Sequence, residues 1–486
     1  MPPSKKIVID PVTRLEGNAK ITFELDESTN VLKKAEFQVL EFRAFEKFLE
    51  GRKARETPRI TPRICGICPV SHHLCSAKAT DMLARVIIPE RAKLHRELMH
   101  MAQFIHSHSL HIYFLALPDF VDGFRAESND FRLLLNANPN LLKNVIRIRA
   151  FGQNMIEALG GKAIHPVTAI PGGISVPLKP DTHNFLLREA KKLLPIAEES
   201  LTAAWGLLDN VPEKLKQYET LNSHNMGMVG NNKEIALYDG ETIILDSQGK
   251  VKGNFRGAKY RKMIGEKYFD FSWTKFPYFT NAEDEESSII QVGPLARQKC
   301  YETIPTEIAG KMLASFREKF GRFTTESFVT HYARIIETMY ALEKAIDILE
   351  DPNLMNNTDY RISSTIKESS GVGIIEAPRG SLIHSFETDH TGLITKANII
   401  VSTTFNNPAI NLALFKVAKK QLYPSQSTIP EATLRQIEST VRIFDPCLTC
   451  SSHSISGRNF DVVLKNSKGN LIYSSLVALK NEKLNS

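Results

Sequence analysis

The chain has 486 residues, of which 42% are hydrophobic and 24% charged, enough for one large globular core or two fused ones. Its formal net charge of +7 comes with only short basic runs, Lys5-Lys6 and Lys419-Lys420, a solvated surface rather than the clustered Lys and Arg with interleaved aromatics that a nucleic-acid binder needs. The opening Met-Pro-Pro-Ser-Lys-Lys has no apolar signal region and no run is long enough to span a bilayer, so a cytoplasmic protein without a direct membrane span is expected.

In chain order, residues 5 to 41 alternate in strand fashion, as in Lys20-Ile-Thr-Phe-Glu-Leu25, with a turn at Glu27-Ser-Thr-Asn30; this predicts a small antiparallel sheet. From Phe42 to Glu50 the spacing becomes helical and predicts Phe42, Phe45, Phe48 and Leu49 on one side with Glu46 close to it, followed by a loop from Arg52 to Pro62. Residues 91 to 117 repeat apolar side chains near a 3.6-residue period through Leu94, Leu98, Met101, Ile105, Ile112 and Leu115, and Pro118 ends the helix. His106, His108 and His111 lie within it, but no carboxylate or further His continues their pattern, so they read as packed or hydrogen-bonding side chains rather than metal ligands. Helices are also predicted over 140–159 and 180–209, separated by Gly160-Gly161 and Pro171-Gly172-Gly173. Residues 220 to 300 are mixed, with a strand at Glu241-Thr-Ile-Ile-Leu245. Helical spacing returns from Pro305 to Leu349, a strand follows at Leu393–Val401 within an alternating stretch, and two further helices are predicted over Pro408–Leu422 and Glu431–Arg442. No internal repeat and no linker-like composition divides the chain, so the expectation is one body, mainly α with peripheral β: a large helical-bundle core with small antiparallel sheets.

The cysteines carry the chemistry. Four of the six form two C-x-x-C pairs, Cys65 and Cys68 in R-I-C-G-I-C-P-V-S-H-H (63–73), Cys447 and Cys450 in D-P-C-L-T-C-S-S-H (445–453). More than 350 residues separate the pairs, which argues against a local zinc ribbon. Four thiolates from opposite ends of one chain still make a tetrathiolate site, and soft sulfur selects zinc, iron, nickel or copper over hard cations. Cys75 and Cys300 remain as isolated thiols, Cys75 reading as a small buried side chain beside the site; this usage suits a reducing compartment.

The two motifs resemble the signatures of nickel–iron hydrogenase large subunits. The resemblance extends through D-P-V-T-R-L-E-G (10–17), F-R-A-F-E-K-F-L-E-G (42–51), V-G-P-L-A-R (292–297) and E-A-P-R-G (376–380), with Ala44 standing where many relatives have glycine. It implies nickel held by Cys65, Cys68, Cys447 and Cys450, and an iron with carbon monoxide and cyanide ligands bridged by Cys68 and Cys450. Heterolytic cleavage of dihydrogen needs a Lewis-acidic metal and a nearby base; a terminal thiolate, Cys447, is the candidate base, and Glu16 is the family position for the next proton step. Arg379, stiffened by Pro378, is implied to point its guanidinium over the open coordination position, and His72 to hydrogen-bond a bridging sulfur. The resemblance further implies a magnesium ion bound by Glu46, His453 and the Ile399 carbonyl, with waters completing an octahedron.

The two cysteines outside the motifs are too few for a tetracysteinyl iron–sulfur cluster. An iron–sulfur small subunit is therefore the expected partner, with an electron-acceptor module beyond it. The blocks look most like methyl-viologen-reducing hydrogenases coupled to heterodisulfide reductase, with the bidirectional NAD(P)-linked type, which uses a diaphorase, close behind. Family maturation implies nickel-delivery proteins and an endopeptidase that cuts after His453, leaving 1–453 as the catalytic body and removing 454–486, whose pattern reads as a strand-turn-strand hairpin. Two readings of another class stand beside this one. A hydrogenase-like, quinone-binding subunit of a respiratory complex keeps the scaffold but lacks the metal-binding cysteines, and a zinc protein would use the same tetrathiolate.

Overall fold

Two helices, Glu90–Leu110 and Thr330–Glu350, are buried on nearly every side, and the rest of the chain packs around them. A helix apolar on one stripe alone would lie at the surface; burial all round places these two at the centre. The computed structural model describes residues 4–26, 28–29, 31–121, 134, 136, 138–211, 221–356, 359–422, 430–452, 463–465 and 471–474. Pro139–Gly160 and Pro180–Asp209 pack against the central pair to make the bundle. Both begin with proline in the first turn, where its missing N–H costs nothing. The first also has Asn138 accepting the Leu141 N–H and a left-handed Gly161 at its end. The Glu90–Leu110 helix continues as a π-helical turn over His111–Ala116 that ends at Leu117, and Pro118, expected to end the helix, instead opens a further short helix, Pro118–Val121.

Small sheets flank the bundle. Ser4–Ile9, Ala19–Asp26 and Val31–Val39 form the predicted antiparallel sheet, with Ile21, Phe23 and Leu25 turned inward. Residues 220–300 contribute a four-stranded mixed sheet that includes the expected strand at Glu241–Leu245. Ser369–Ala377, Gly380–Thr388 and Ile394–Ile400 form an antiparallel meander. Its first strand lies directly on the Pro69–Ala84 helix, where a Cβ at Gly373 would sit 2.1 Å from the Cys75 carbonyl oxygen. Cys75 is buried in that contact, its thiol donating to the carbonyls of Gly373 and Leu382. Among the described residues no helix is long and apolar enough to cross a membrane. The architecture is mainly α with peripheral β, as expected.

Several local expectations change. Phe42–Glu50 is helical only over Phe45–Leu49: Leu49 and the adjacent Glu46 are buried, whereas Phe42 and Phe48 are 39% and 49% exposed. Residues 52–62 are short helical turns rather than a loop. The span from Pro305 to Leu349 divides into Glu307–Phe320 and Thr330–Glu350 around Gly321. The helix predicted from Pro408 starts earlier, at Ser402, and carries Pro408 in its first turns. In the tail, Val463–Lys465 and Leu471–Ser474 pair antiparallel, in accord with the hairpin pattern.

Candidate metal centre

Each C-x-x-C pair sits where a loop enters a helical turn. Cys65 ends the Thr61–Ile64 turn in extended backbone, and Cys68 immediately precedes the Pro69–Ala84 helix. The positive end of that helix favours negative charge at Cys68. The Ile67 and Cys68 N–H groups both donate to Cys65 Sγ, at 3.3 and 3.4 Å. On the other side, the chain leaves the Glu431–Ile443 helix, passes through a left-handed Asp445, and presents Cys447 and Cys450 around the Leu448–Ser451 turn. The Cys447 N–H donates to Thr403 Oγ1 at 2.8 Å, which ties this loop to the start of the Ser402–Gln421 helix.

The four buried thiols meet. Sγ–Sγ separations are 3.2 Å for Cys65–Cys447, 3.1 Å for Cys68–Cys450, 2.8 Å for Cys447–Cys450 and 3.9 Å for Cys68–Cys447. All are longer than the roughly 2.05 Å of a disulfide, and every cysteine is free. The set lies within 4.8 Å, and sulfurs about 2.3 Å from one tetrahedral metal would be about 3.8 Å apart. Burial pushes the Cys447 and Cys450 thiols well above their usual range. Four thiolates cannot share so small a dry volume unless a cation compensates them, and metal binding supplies that compensation.

Glu16 reaches this cluster through its backbone and its side chain. Its carbonyl accepts the Leu448 N–H at 3.0 Å, and its carboxylate accepts from Thr449 Oγ1 at 2.5 Å and Thr449 N at 3.1 Å. Burial, then the charge on Cys65, raises its pKa above the ordinary carboxylate value. It is half-buried rather than an exposed loop carboxylate.

Arg379 stands on the Pro378-Arg379 turn between Ser369–Ala377 and Gly380–Thr388. Its guanidinium donates to Asp445 Oδ1 at 3.0 Å and Ser107 Oγ at 3.2 Å. It lines a small cavity beside Cys68, Cys447 and Cys450. Among the described residues, the Arg379 Nε and the Ser71 hydroxyl there have no hydrogen-bond partner, while Ala377, Leu382 and Val401 supply an apolar wall. Unused buried donors beside a dry apolar surface fit a metal with small ligands, some charged and some neutral.

His72 lies at the same wall, 3.5 Å from Cys450 Sγ through Nε2. Burial lowers its pKa to about 4, so the ring is neutral. Its Nδ1 is 3.1 Å from His384 Nε2, and Ser76 Oγ is 2.8 Å from His384 Nδ1. One consistent assignment has Ser76 donating to His384, His384 to His72, and His72 to the Cys450 sulfur.

Glu46, the second expected cation ligand, is also buried. Its Oε1 accepts the Ile399 N–H at 2.7 Å and the Lys275 ammonium at 2.6 Å; Lys275 further contacts Glu266 at 2.9 Å and Asn398 at 2.5 Å. Positive charge is thus already supplied to this carboxylate by a buried lysine that the sequence motifs did not reveal. His453 lies outside the described residues, but the neighbouring Ser452 carbonyl accepts from the N–H groups of Arg43 and Ala44 at 3.0 and 3.2 Å. Ala44 is left-handed (φ 50°), a backbone conformation that glycine adopts more readily than alanine.

His108 and His111 are not part of this centre. His108 meets Glu337 at 3.0 Å, and His111 Nε2 is 2.8 Å from the Arg442 carbonyl. Among the described residues the four cysteines are the one His/Cys/Asp/Glu cluster with metal-site geometry. Asp445, Ser107, Thr403, His384 and Lys275 were not assigned from the sequence. Asp445 stood inside the D-P-C motif, so a signal existed for it; the others are brought in by distant segments.

A family model described as nickel-dependent hydrogenase matches residues 43–144 and 195–453, and one described as HoxL-like matches residues 6–42. The chain belongs to the nickel-dependent hydrogenase family. It is 39% identical over 455 residues to a chain of the vhc F420-non-reducing hydrogenase of Methanococcus voltae, covering 93% of this chain and 95% of that one. It is 33% identical over 488 residues to the beta chain of the NAD-reducing hydrogenase HoxS of Cupriavidus necator, covering 96% and 99%. Among solved structures, an NAD+-reducing nickel–iron hydrogenase in its H2-reduced state superposes with a TM-score of 0.86 at 35% identity, covering 92% of this chain and 99% of the other. The protein is therefore the large subunit of a nickel-dependent hydrogenase, an oxidoreductase acting on dihydrogen, and it carries a four-cysteine cluster that can hold a metal.

Proposed function

We propose that Cys65, Cys68, Cys447 and Cys450 would hold nickel, and that Cys68 and Cys450 would also hold an iron carrying carbon monoxide and cyanide. The observation that carries this reading is the convergence of four free, buried thiols from motifs at opposite ends of the chain. When bound, the two metals supply the Lewis acidity and electron acceptance that heterolytic cleavage of dihydrogen requires. The protein's own groups do the rest. Cys447 accepts the proton, and Glu16, hydrogen-bonded next to it through Thr449, takes it on toward solvent. Arg379, held by Asp445 and Ser107, fixes a positive, planar donor above the open side of the thiols, where it can anchor anionic ligands and polarise dihydrogen. The unused Arg379 Nε and Ser71 hydroxyl support the iron ligands, and His72 donates to the Cys450 sulfur.

Magnesium belongs to the same reading, with Glu46, the Ile399 carbonyl and His453 as its protein ligands. The tie between Ser452 and residues 43–44 supports a meeting of His453 with Glu46. Lys275 then compensates the second carboxylate, Glu266. Electrons leave through an iron–sulfur small subunit, because the cysteines left over cannot build a cluster, and pass to a heterodisulfide reductase or an NAD(P)-reducing diaphorase in the cytoplasm. The names of the relatives, F420-non-reducing and NAD-reducing, support an acceptor of one of these two kinds. Nickel-delivery proteins load the centre, and an endopeptidase removes residues 454–486.

Metal analysis of the matured complex tests the assignment. Nickel and large-subunit iron in near-equal amounts are expected in the wild type, and Cys450→Ser should lose both, since a hard hydroxyl is a poor bridge between two soft metals. Zinc alone in the wild type, or full nickel and dihydrogen uptake in Cys450→Ser, would overturn it.

A further inference from the structure

Arg297, at the end of V-G-P-L-A-R, is fully buried and spends every N–H it has. Its Nε and one terminal nitrogen grip Glu337 at 2.8 and 2.7 Å, and the other terminal nitrogen donates to Glu376 at 2.9 Å. The two remaining bonds go to backbone: the Ala377 carbonyl at 2.8 Å and the Pro378 carbonyl at 3.1 Å. Those carbonyls belong to the two residues immediately before Arg379. Glu376 is held from its other side by the Ser381 hydroxyl at 2.6 Å, so both strands flanking the turn are tied in.

The same two segments touch through their glycines. Gly293 is left-handed (φ 109°) and a Cβ there would meet the Arg379 carbonyl oxygen at 3.0 Å; a Cβ at Gly380 would meet Gly293 N at 2.7 Å. A guanidinium matches this use because its donors are fixed in one plane, so a carboxylate gripped in bidentate fashion sets the direction of the remaining N–H groups. Glu337 lies on the central Thr330–Glu350 helix, which is buried on nearly every side.

We propose that Arg297 is a positioning residue that references the Ala377-Pro378-Arg379 turn to the central helix through Glu337 and thereby holds the Arg379 guanidinium above the thiol cluster. The inference rests on the assignment of Arg379 to the reaction and extends it to a residue that touches neither metal nor substrate. It explains why V-G-P-L-A-R and E-A-P-R-G, far apart in sequence, form one unit.

The test is a double-mutant cycle in the assembled complex, with Arg297→Lys, the gentler Glu337→Asp, and Arg379→Lys. Glu337→Asp keeps the charge and both acceptors but draws the carboxylate back by one methylene, so it carries the test if Arg297→Lys does not fold. Each change at 297 or 337 should lower kcat for dihydrogen oxidation by about tenfold to 10²-fold, the scale of a displacement near 1 Å. KM for dihydrogen and nickel content should stay near wild type, and a crystal structure of Glu337→Asp should show the Arg379 guanidinium displaced. In the Arg379→Lys background the same changes should cost little further, because the group they position is already gone. Equal factors in both backgrounds, an unmoved Arg379, loss of nickel in step with activity, or near-wild-type kcat in the single variants would each overturn the proposal. Near-normal activity of Arg379→Lys by itself would instead remove the underlying role of Arg379.

Discussion

At the scale of single residues, Glu16 is the group whose environment says most about its work. A carboxylate made partly dry and set beside a thiolate cluster binds a proton more readily than one in water, which brings it toward the range where it can both accept and release one. Gln at this position keeps an oxygen to accept from Thr449 but cannot carry a proton. Glu16→Gln should therefore retain nickel and fold normally, while steady-state dihydrogen oxidation falls by at least about 10²-fold, the contribution typical of a positioned acid–base group. Nickel analysis and a dihydrogen-uptake assay on one preparation check this, and wild-type uptake would assign the proton route elsewhere. The cysteines, Glu16 and Arg379 were visible in the sequence because short blocks carried them. Ser107, Thr403 and His384 were not, since a lone Ser, Thr or His gives no periodic signal and each reaches the site from another segment.

At the scale of elements, the chain end is the informative piece. The Ser452 carbonyl is locked to the N–H groups of Arg43 and Ala44, so the last motif is drawn in beside Glu46. In the proposed maturation, residues 454–486 keep Cys447 and Cys450 accessible until nickel is inserted, and cutting after His453 then makes the closed form effectively irreversible. Intact-mass spectrometry of active enzyme from its native host should show a C-terminus at His453, whereas protein made without nickel should keep Ser486. Fully active enzyme with residues 454–486 attached would make the hairpin a permanent element. Helix positions in the bundle were legible because apolar side chains recur near a 3.6-residue spacing. The Phe42–Glu50 segment misled because its phenylalanines look like a core stripe, yet the left-handed Ala44 starts the helix late and turns Glu46 inward to Lys275 and Ile399.

For the whole molecule, the buried histidines set the response to acid. His73, His95 and His100 are each brought down to about 4 by burial, well below the roughly 6.5 of an exposed imidazole. The unfolded chain then binds more protons than the folded one between these values, so stability is intact above about pH 6.5 and is lost as the pH falls toward 4; each histidine contributes up to about 1.4 kcal/mol per pH unit. The apparent unfolding temperature of the complex should start to fall near pH 6.5 and keep falling, and a flat profile down to pH 5 would contradict this. The α-rich architecture was legible from periodicity, but the network that joins its parts was not. Arg297, Glu337 and Glu376 lie on three separate segments, and sequence spacing cannot pair residues that only the fold brings together.

Heterolytic cleavage at the four-cysteine centre is the central proposed step, and isotope exchange reads it without any electron acceptor. Nickel-loaded complex in ordinary water under deuterium gas should release HD, followed by H2, if a deuteron exchanges with solvent along the proposed route through Cys447 and Glu16. Mass spectrometry of the gas phase measures both. HD formation from the wild type, absent in Cys450→Ser, is the predicted result; a nickel-replete wild type that releases no HD would contradict it.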